Sequence, residues 1–249
     1  MPHSDAPEPP AESRFRAEPV SFVRRSGRMT DGQERAWAEH APFYVIEVER
    51  GEAATSIRPG TPITPASVFG RSAPLIVEIG SGQGHAIVHA ARTRPEADFL
   101  AVEVFVAGLA RTMLDAERAD VRNLRLVEGN APEVLEHFLP EASVDELWIF
   151  FPDPWHKSKH TKRRLIAPPF PELAARVLRD GGMLRLATDW EDYARQMRQV
   201  LGDADDFAPA FNGEWAERFD GRIMTAFERK GRAKGREIRD LTYRRAPRA

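Results

Sequence analysis

The residues best placed to do chemistry run from Trp148 to Arg164, WIFFPDPWHKSKHTKRR. An apolar run breaks on Pro152-Asp153-Pro154, where two prolines fix the backbone around one carboxylate. Five positive charges follow between Lys157 and Arg164, with no acid before Glu172 to balance them. A rigid acidic turn opening into a basic stripe suits a reaction site beside a polyanion. Trp155 would either stack on a base or cover the end of the sheet.

A second constellation lies upstream. Leu75-Ile76-Val77-Glu78-Ile79 runs into Gly80-Ser81-Gly82-Gln83-Gly84. An unpaired carboxylate in such a strand costs several kcal/mol, so Glu78 needs a ligand or an Arg partner. Glycines at a strand's carboxyl end let a ligand approach the backbone, and open α/β sheets bind ligands there. The dinucleotide fingerprint wants a third Gly where His85 stands. Glu103 lies at the end of the next strand, where an acid can accept hydrogen bonds from a ribose. Asn130 closes the third strand and also reads as a helix cap, followed by Pro132 and Glu133.

These groups need a scaffold of alternating strands and helices. Strands are predicted at 75–79, 99–104, 124–127, 144–151 and 183–187. Helices are predicted to about Arg94, over 106–118, around 168–179 to a Gly181-Gly182 stop, and from a Thr188–Glu191 capping box to about Leu201. Residues 207–224 read as irregular. Short strands near 223–228 and 238–245 would finish the sheet, as an antiparallel pair. This is an α/β pattern with a mostly parallel sheet covered on both faces. Residues 1–35 read as a flexible arm, basic from about residue 14, and residues 36–249 as a single domain.

The net charge of −2 conceals a strong asymmetry. All Lys residues lie at or after Lys157, and from Arg229 onward nine Lys and Arg face two acids. Local basic patches on a near-neutral chain suit an enzyme that meets nucleic acid. With no Cys, disulfides, thiolate metal sites and Cys nucleophiles are excluded, and no metal is expected. No apolar run is long enough to span a membrane, and no secretory signal is read, so a cytoplasmic location is expected. Nothing calls for an obligate protein partner; a monomer or a homodimer would suit.

The string FFPDPWHKSKHTKRR resembles the signature of the bacterial tRNA (guanine-N7)-methyltransferase family. SFVRRSGRMTDGQERA, VEIGSGQG, LAVEVF, ATDWEDYA and TAFERKGRAKG agree with that family in order, over residues 20–45 and 74–245. Asn130 stands where the family more commonly has Asp, and Asn keeps the hydrogen-bonding role. The resemblance implies a Rossmann-like class I methyltransferase fold with a seven-stranded sheet. It implies S-adenosylmethionine as cofactor and N7 of guanine 46 in the tRNA variable loop as the target. Glu78, Glu103 and Asn130 would bind the cofactor, with Gly80, Gly82 and Gly84 shaping the pocket. Asp153 would sit at the reaction centre, touching both cofactor and target. Lys157, Asp189, Thr225, Ala226, Phe227 and Glu228 would hold the target nucleotide. Lys159, His160, Thr161, Lys162, Arg163 and Arg164 would run along the RNA. A nicotinamide-dependent dehydrogenase and a non-catalytic tRNA-binding module are the competing readings. The acids at three strand ends argue against the second.

Overall fold

The computed structural model describes residues 29–60 and 62–248. Residues 1–28 of the expected arm lie outside the described residues. From Asp31 onward that arm is helical: α1 spans Asp31–Tyr44 and crosses the expected boundary at residue 35. Thr30 and Gln33 close a reciprocal capping box at its start. Gln33 Nε2 also donates to the Ala107 carbonyl at 3.0 Å, which ties the helix to the body. At the far end the buried Tyr44 hydroxyl donates to the Val121 carbonyl at 2.9 Å.

A short helix, α2 (Pro65–Phe69), precedes the sheet. Then come β1 (Leu75–Ile79), α3 (His85–Thr93), β2 (Asp98–Glu103), α4 (Val106–Arg118) and β3 (Leu124–Glu128). One short turn, α5 (Ala131–Glu133), runs into a π-helical turn over Val134–Phe138 and leads to β4 (Val144–Phe150). The basic stretch Ser158–Arg163 forms a 3₁₀ helix. The chain closes with α6 (Phe170–Val177), β5 (Leu178–Thr188), α7 (Glu191–Gly202), β6 (Phe207–Pro209), α8 (Ala226–Ala233) and β7 (Arg239–Arg245).

The seven strands lie in the order β3-β2-β1-β4-β5-β7-β6. β1 to β5 pair in parallel, and β7 enters antiparallel between β5 and β6. Strand alternation divides the core. Leu75, Val77 and Ile79 face the layer containing α6 and α7, with Leu147, Ile149, Leu184 and Leu186. Ile76, Phe99, Ala101, Trp148 and Phe150 face α3 and α4. Glu78, two residues from Ile76, shares that second face.

Four expectations are corrected. Residues 223–228 form no strand, because Thr225 caps α8 by accepting from the Glu228 amide. The sheet's last strand is instead β6, inside the segment read as irregular. β5 begins at Leu178, ahead of the expected 183, and its register against β4 slips between Val144 and Glu146 to absorb the Gly181-Gly182 bend. Thr188 does not cap α7: its hydroxyl accepts from the Trp190 amide at 3.2 Å, and Trp190 is the capping residue.

Tyr44→Phe should lower stability by about 1–2 kcal/mol, because the hydroxyl also lies 3.1 Å from Glu117 and accepts from Arg122 at 3.4 Å, so its loss leaves more than the Val121 carbonyl unserved. Chemical denaturation of the two proteins checks this, and an unchanged midpoint would remove Tyr44 as the anchor of α1.

Candidate active site

β1 is flanked by β2 and β4, whose crossovers leave in opposite directions, so a crevice opens at its carboxyl end. A cavity of about 260 Å³ lies there. Its floor is Glu78, the Gly80–Gln83 loop and Glu103. Gly82 has φ +60°, and a Cβ built on it would project into open space. That leaves the loop backbone accessible to a ligand. Glu103 braces the loop by accepting from the amides of Gly82 (2.7 Å), Val104 (2.7 Å) and Phe105 (3.0 Å). Behind the loop, a Cβ on Gly108 would collide with the Gly82 carbonyl, so α4 packs closely only because that position is Gly.

Glu78 is 4% exposed and has no Arg partner among the described residues. Burial pushes its carboxyl from the ordinary 4.5 up to about 8, Glu103 adds to the rise, and the Ile87 amide opposes it. Its Oε2, Ser81 Oγ and Asn130 Oδ1 are buried polar atoms with no hydrogen-bond partner among the described residues. Buried polar atoms are rarely left so. Asn130 Nδ2 donates to Glu133 at 3.3 Å, and its neighbours Gly129 and Ala131 line the cavity. Three unpartnered polar oxygens around an exposed Gly-loop backbone fit a polar cofactor with ammonium and hydroxyl groups, as S-adenosylmethionine has.

One wall is the turn after β4. Phe151 and Trp155 bracket Pro152-Asp153-Pro154 with φ of +53° and +44°. Such conformations in large side chains persist only when their surroundings hold them. Here the Phe151 amide donates to Ala187 at 2.8 Å, and Arg164 Nε donates to the Pro154 carbonyl at 2.8 Å. Arg164 is itself buried, bonded to Gln196 and Asp192 and stacked on Tyr193. Asp153 is thereby held in the cavity wall. Trp155 carries the Arg163 guanidinium over its ring at 4.3 Å and meets His160 edge-on. Loss of hydration, and after it the charges of Lys159, Arg163 and Lys157, lower the pKa of His160.

The opposite wall is the start of α8, with Thr225, Ala226, Phe227 and Lys230. Under it lies a buried ion-pair network. Arg222, fully buried, bonds Glu228 at 2.6 Å and Asp240 through both Nε (2.7 Å) and Nη2 (2.8 Å). Arg218 and Arg232 complete the shell around Glu228. The Arg222 guanidinium also sits near the Phe150 and Phe151 rings.

The cavity therefore brings together Glu78, Gly80, Gly82, Glu103, Asp153, Thr225, Ala226 and Phe227. Gly84 stands one step behind, capping α3 with φ +75°. Lys157, Lys159 and Lys162 are exposed, His160, Thr161 and Arg163 partly so. Two expected contacts are corrected. Arg164 does not face RNA, because its guanidinium is spent inside the fold. Glu228 does not face the cavity, because it is wholly buried among arginines. Asp189 pairs with Arg236 at 2.8 Å beside α8. Sequence reasoning missed Ser81, Gly108, Arg222 and Lys230. Only Lys230 carried a signal, as part of the basic C-terminal run.

The family model described as "Putative methyltransferase" matches residues 72–241. Among solved structures, the 16S rRNA methyltransferase KamB superposes with TM-score 0.51 at 16% identity, covering 72% of this chain and 91% of that one. Strand order, antiparallel β7 and the Gly-loop cavity are those of the Rossmann-like class I methyltransferase fold, and the family model places the chain among methyltransferases. The tRNA (guanine-N(7)-)-methyltransferase of Paenarthrobacter aurescens is 46% identical over an alignment of 275 positions, gaps included, that covers 91% of each chain. That of Cutibacterium acnes is 43% identical over 234 residues, covering 93% of this chain and 85% of that protein. The chain belongs to the tRNA (guanine-N7)-methyltransferase family.

Two outcomes follow from the buried charges. Folded Glu78 retains a proton that the unfolded chain releases, so its contribution lowers stability as pH rises from 4.5 to about 8. Glu78→Gln should abolish that fall, raise the cofactor-free Tm at the alkaline end, and weaken cofactor binding. Thermal melts across this range and a cofactor titration check it; a parallel pH profile would refute the assigned protonation. Arg222→Met leaves Glu228 and Asp240 buried with less compensation, and should cost about 3–5 kcal/mol by denaturant titration. A loss below about 1 kcal/mol would show that Arg218 and Arg232 suffice.

Proposed function

We propose that this protein transfers a methyl group from S-adenosylmethionine to N7 of a guanine in tRNA, and that the target is guanine 46 of the variable loop. The relatives' activity supports the reaction, and the resemblance of the FFPDPWHKSKHTKRR string supports the position. The observation that carries the reading is the Pro-clamped Asp153, set in one cavity with Glu78 and Glu103 and opposite Thr225–Phe227.

S-adenosylmethionine supplies an electrophilic methyl on a sulfonium, open to in-line displacement. Glu78, Glu103 and Asn130 hold the cofactor, and Gly80, Gly82 and Gly84 give it access to the backbone. Guanine N7 has a free lone pair at neutral pH, so the site needs no general base. Its main task is placement, where effective molarities reach roughly 10⁵–10⁸ M. The purine becomes cationic as the bond forms, and a fixed Asp153 carboxylate stabilises that charge. Thr225, Ala226 and Phe227 hold the base, with Lys157 at the rim. Asp189 and Glu228 act as positioning residues, through the α8 contacts they make. Lys159, His160, Thr161, Lys162 and Arg163 follow the RNA backbone, and phosphate contacts of this kind position without reading sequence.

Borohydride/aniline cleavage of tRNA incubated with the protein and S-adenosylmethionine tests the reading. Cleavage at position 46 is expected; cleavage elsewhere would move the target, and none would refute the activity. Asp153→Ala should abolish methylation while tRNA affinity stays within a few-fold. A variant turning over near the parent rate would strip Asp153 of its role.

A further inference from the structure

The basic C-terminal run is only partly explained by the fold. Arg232 pairs with Glu228 at 3.0 Å, Arg236 with Asp189 at 2.8 Å and Arg239 with Glu191 at 3.0 Å. Arg245 pairs with Asp206 at 3.0 Å, and Arg248 with Asp180. Arg244 makes no ion pair among the described residues, but it lies opposite Met183, at the end of β5 away from the cavity. The cations left over are Arg229, Lys230 and Lys234. All are exposed, all belong to α8 or its C-cap, and none has an ion-pair partner among the described residues.

Their place is informative. α8 forms one wall of the cavity, and Lys230 lines it. Met224 and Phe227, 42% and 46% exposed, lie on the same segment. The opposite wall, with Asp153 and Leu165, continues into the Ser158–Arg163 helix and its exposed Lys157, Lys159 and Lys162. An acidic cavity thus lies between two basic rims. A nucleotide whose base enters the cavity has a phosphodiester on each side of it. One rim can neutralise only one of these flanks.

We propose that α8, from its cavity edge at Lys230 outward to Arg229 and Lys234, is a second RNA-binding surface. Arg229, Lys230 and Lys234 take phosphates on the flank of the target nucleotide opposite Lys157–Lys162, and Phe227, with the Lys230 ammonium 5.9 Å from its ring, offers its exposed edge to a base at the mouth. The proposal rests on the reading that RNA is the substrate. It explains why this helix keeps unpaired cations while its neighbours along the chain are paired. Exposed aromatics beside unpaired cations are the elements from which single-stranded nucleic-acid tracks are built.

The test is the salt dependence of tRNA binding by the full-length protein, with S-adenosylhomocysteine affinity measured alongside to report folding. Arg229→Ala/Lys234→Ala should reduce the slope of log Kobs against log salt by about 1.5–2. It should raise KM for tRNA several-fold with kcat within about twofold. Combined with Lys159→Ala/Lys162→Ala, the slope reductions should add, since the two rims contact separate phosphates. Arg229→Gln/Lys234→Gln should reproduce the change and separates charge from any loss of helix packing. An unchanged slope in both double variants, with S-adenosylhomocysteine still bound, overturns the α8 surface alone. A parent protein that forms no 7-methylguanosine in tRNA overturns the functional reading and this inference with it.

Discussion

The structure depends on one carboxyl buried at the end of the central strand. β1 is buried along its whole length, and the apolar layers on its two faces leave Glu78 almost no contact with water, only a 4% exposed edge at the cavity floor. An ionised group there would cost several kcal/mol, so the free protein keeps it neutral and leaves an oxygen unpartnered. Everything nearby accommodates that choice. The Gly loop turns away immediately after Ile79, Glu103 reaches across to hold the loop's amide, and Gly108 lets α4 close behind it. The result is a polar floor whose unused hydrogen-bonding capacity is directed at a ligand.

Each wall of the cavity is held by one buried arginine. Left-handed backbone at Phe151 and Trp155 costs about 1–3 kcal/mol per residue, so the turn carrying Asp153 needs an external restraint. Arg164 provides it through the Pro154 carbonyl, and is anchored in turn on α7 by Asp192 and Gln196. Across the cavity, Arg222 joins the first turn of α8 to β7 by bonding Glu228 and Asp240. Burial raises the Asp240 carboxyl despite this contact. A planar guanidinium suits both places, because its fork can bond a carbonyl or a carboxylate and another group in fixed directions at once. Both walls are therefore set by buried guanidinium clamps, while the floor is set by residues that stand at the strand ends themselves.

That difference explains what could be read from the sequence. The floor was legible, since Glu78, the Gly loop, Glu103 and Asn130 each mark a strand end, and the five parallel strands are plain apolar runs. The Arg222 and Arg164 clamps were not, since their partners lie far along the chain or look like ordinary surface acids. Arg164 reads as one more cation in a basic run until Asp192 and Gln196 are brought against it. The segment 223–228 was misread for a local reason. Ile223, Met224 and Phe227 suggest a strand, yet Thr225-x-x-Glu228 is also a helix-start pattern, and the burial of Glu228 decided between them. β6 has only three residues and ends in a Pro, which suits an edge strand but leaves no periodicity to detect.

The distribution of charge also constrains what can enter. Glu78, Glu103 and Asp153 share the cavity, whereas Lys157, Lys159 and Lys162 lie outside it and exposed. Glu103 and Asp153 attract a cationic small molecule and repel phosphate, the exposed lysines do the reverse, and the neutral Glu78 adds hydrogen-bonding capacity rather than charge. A polynucleotide meeting this surface finds its backbone favoured at the rim and excluded from the interior. Only an unstacked base, which carries no charge, can cross from one region to the other. The same separation makes the two steps respond differently to solution conditions. Contacts at the exposed rim weaken steeply with salt, while the buried acids are little screened. Ionic strength should thus govern how much RNA is held far more than how a seated base reacts.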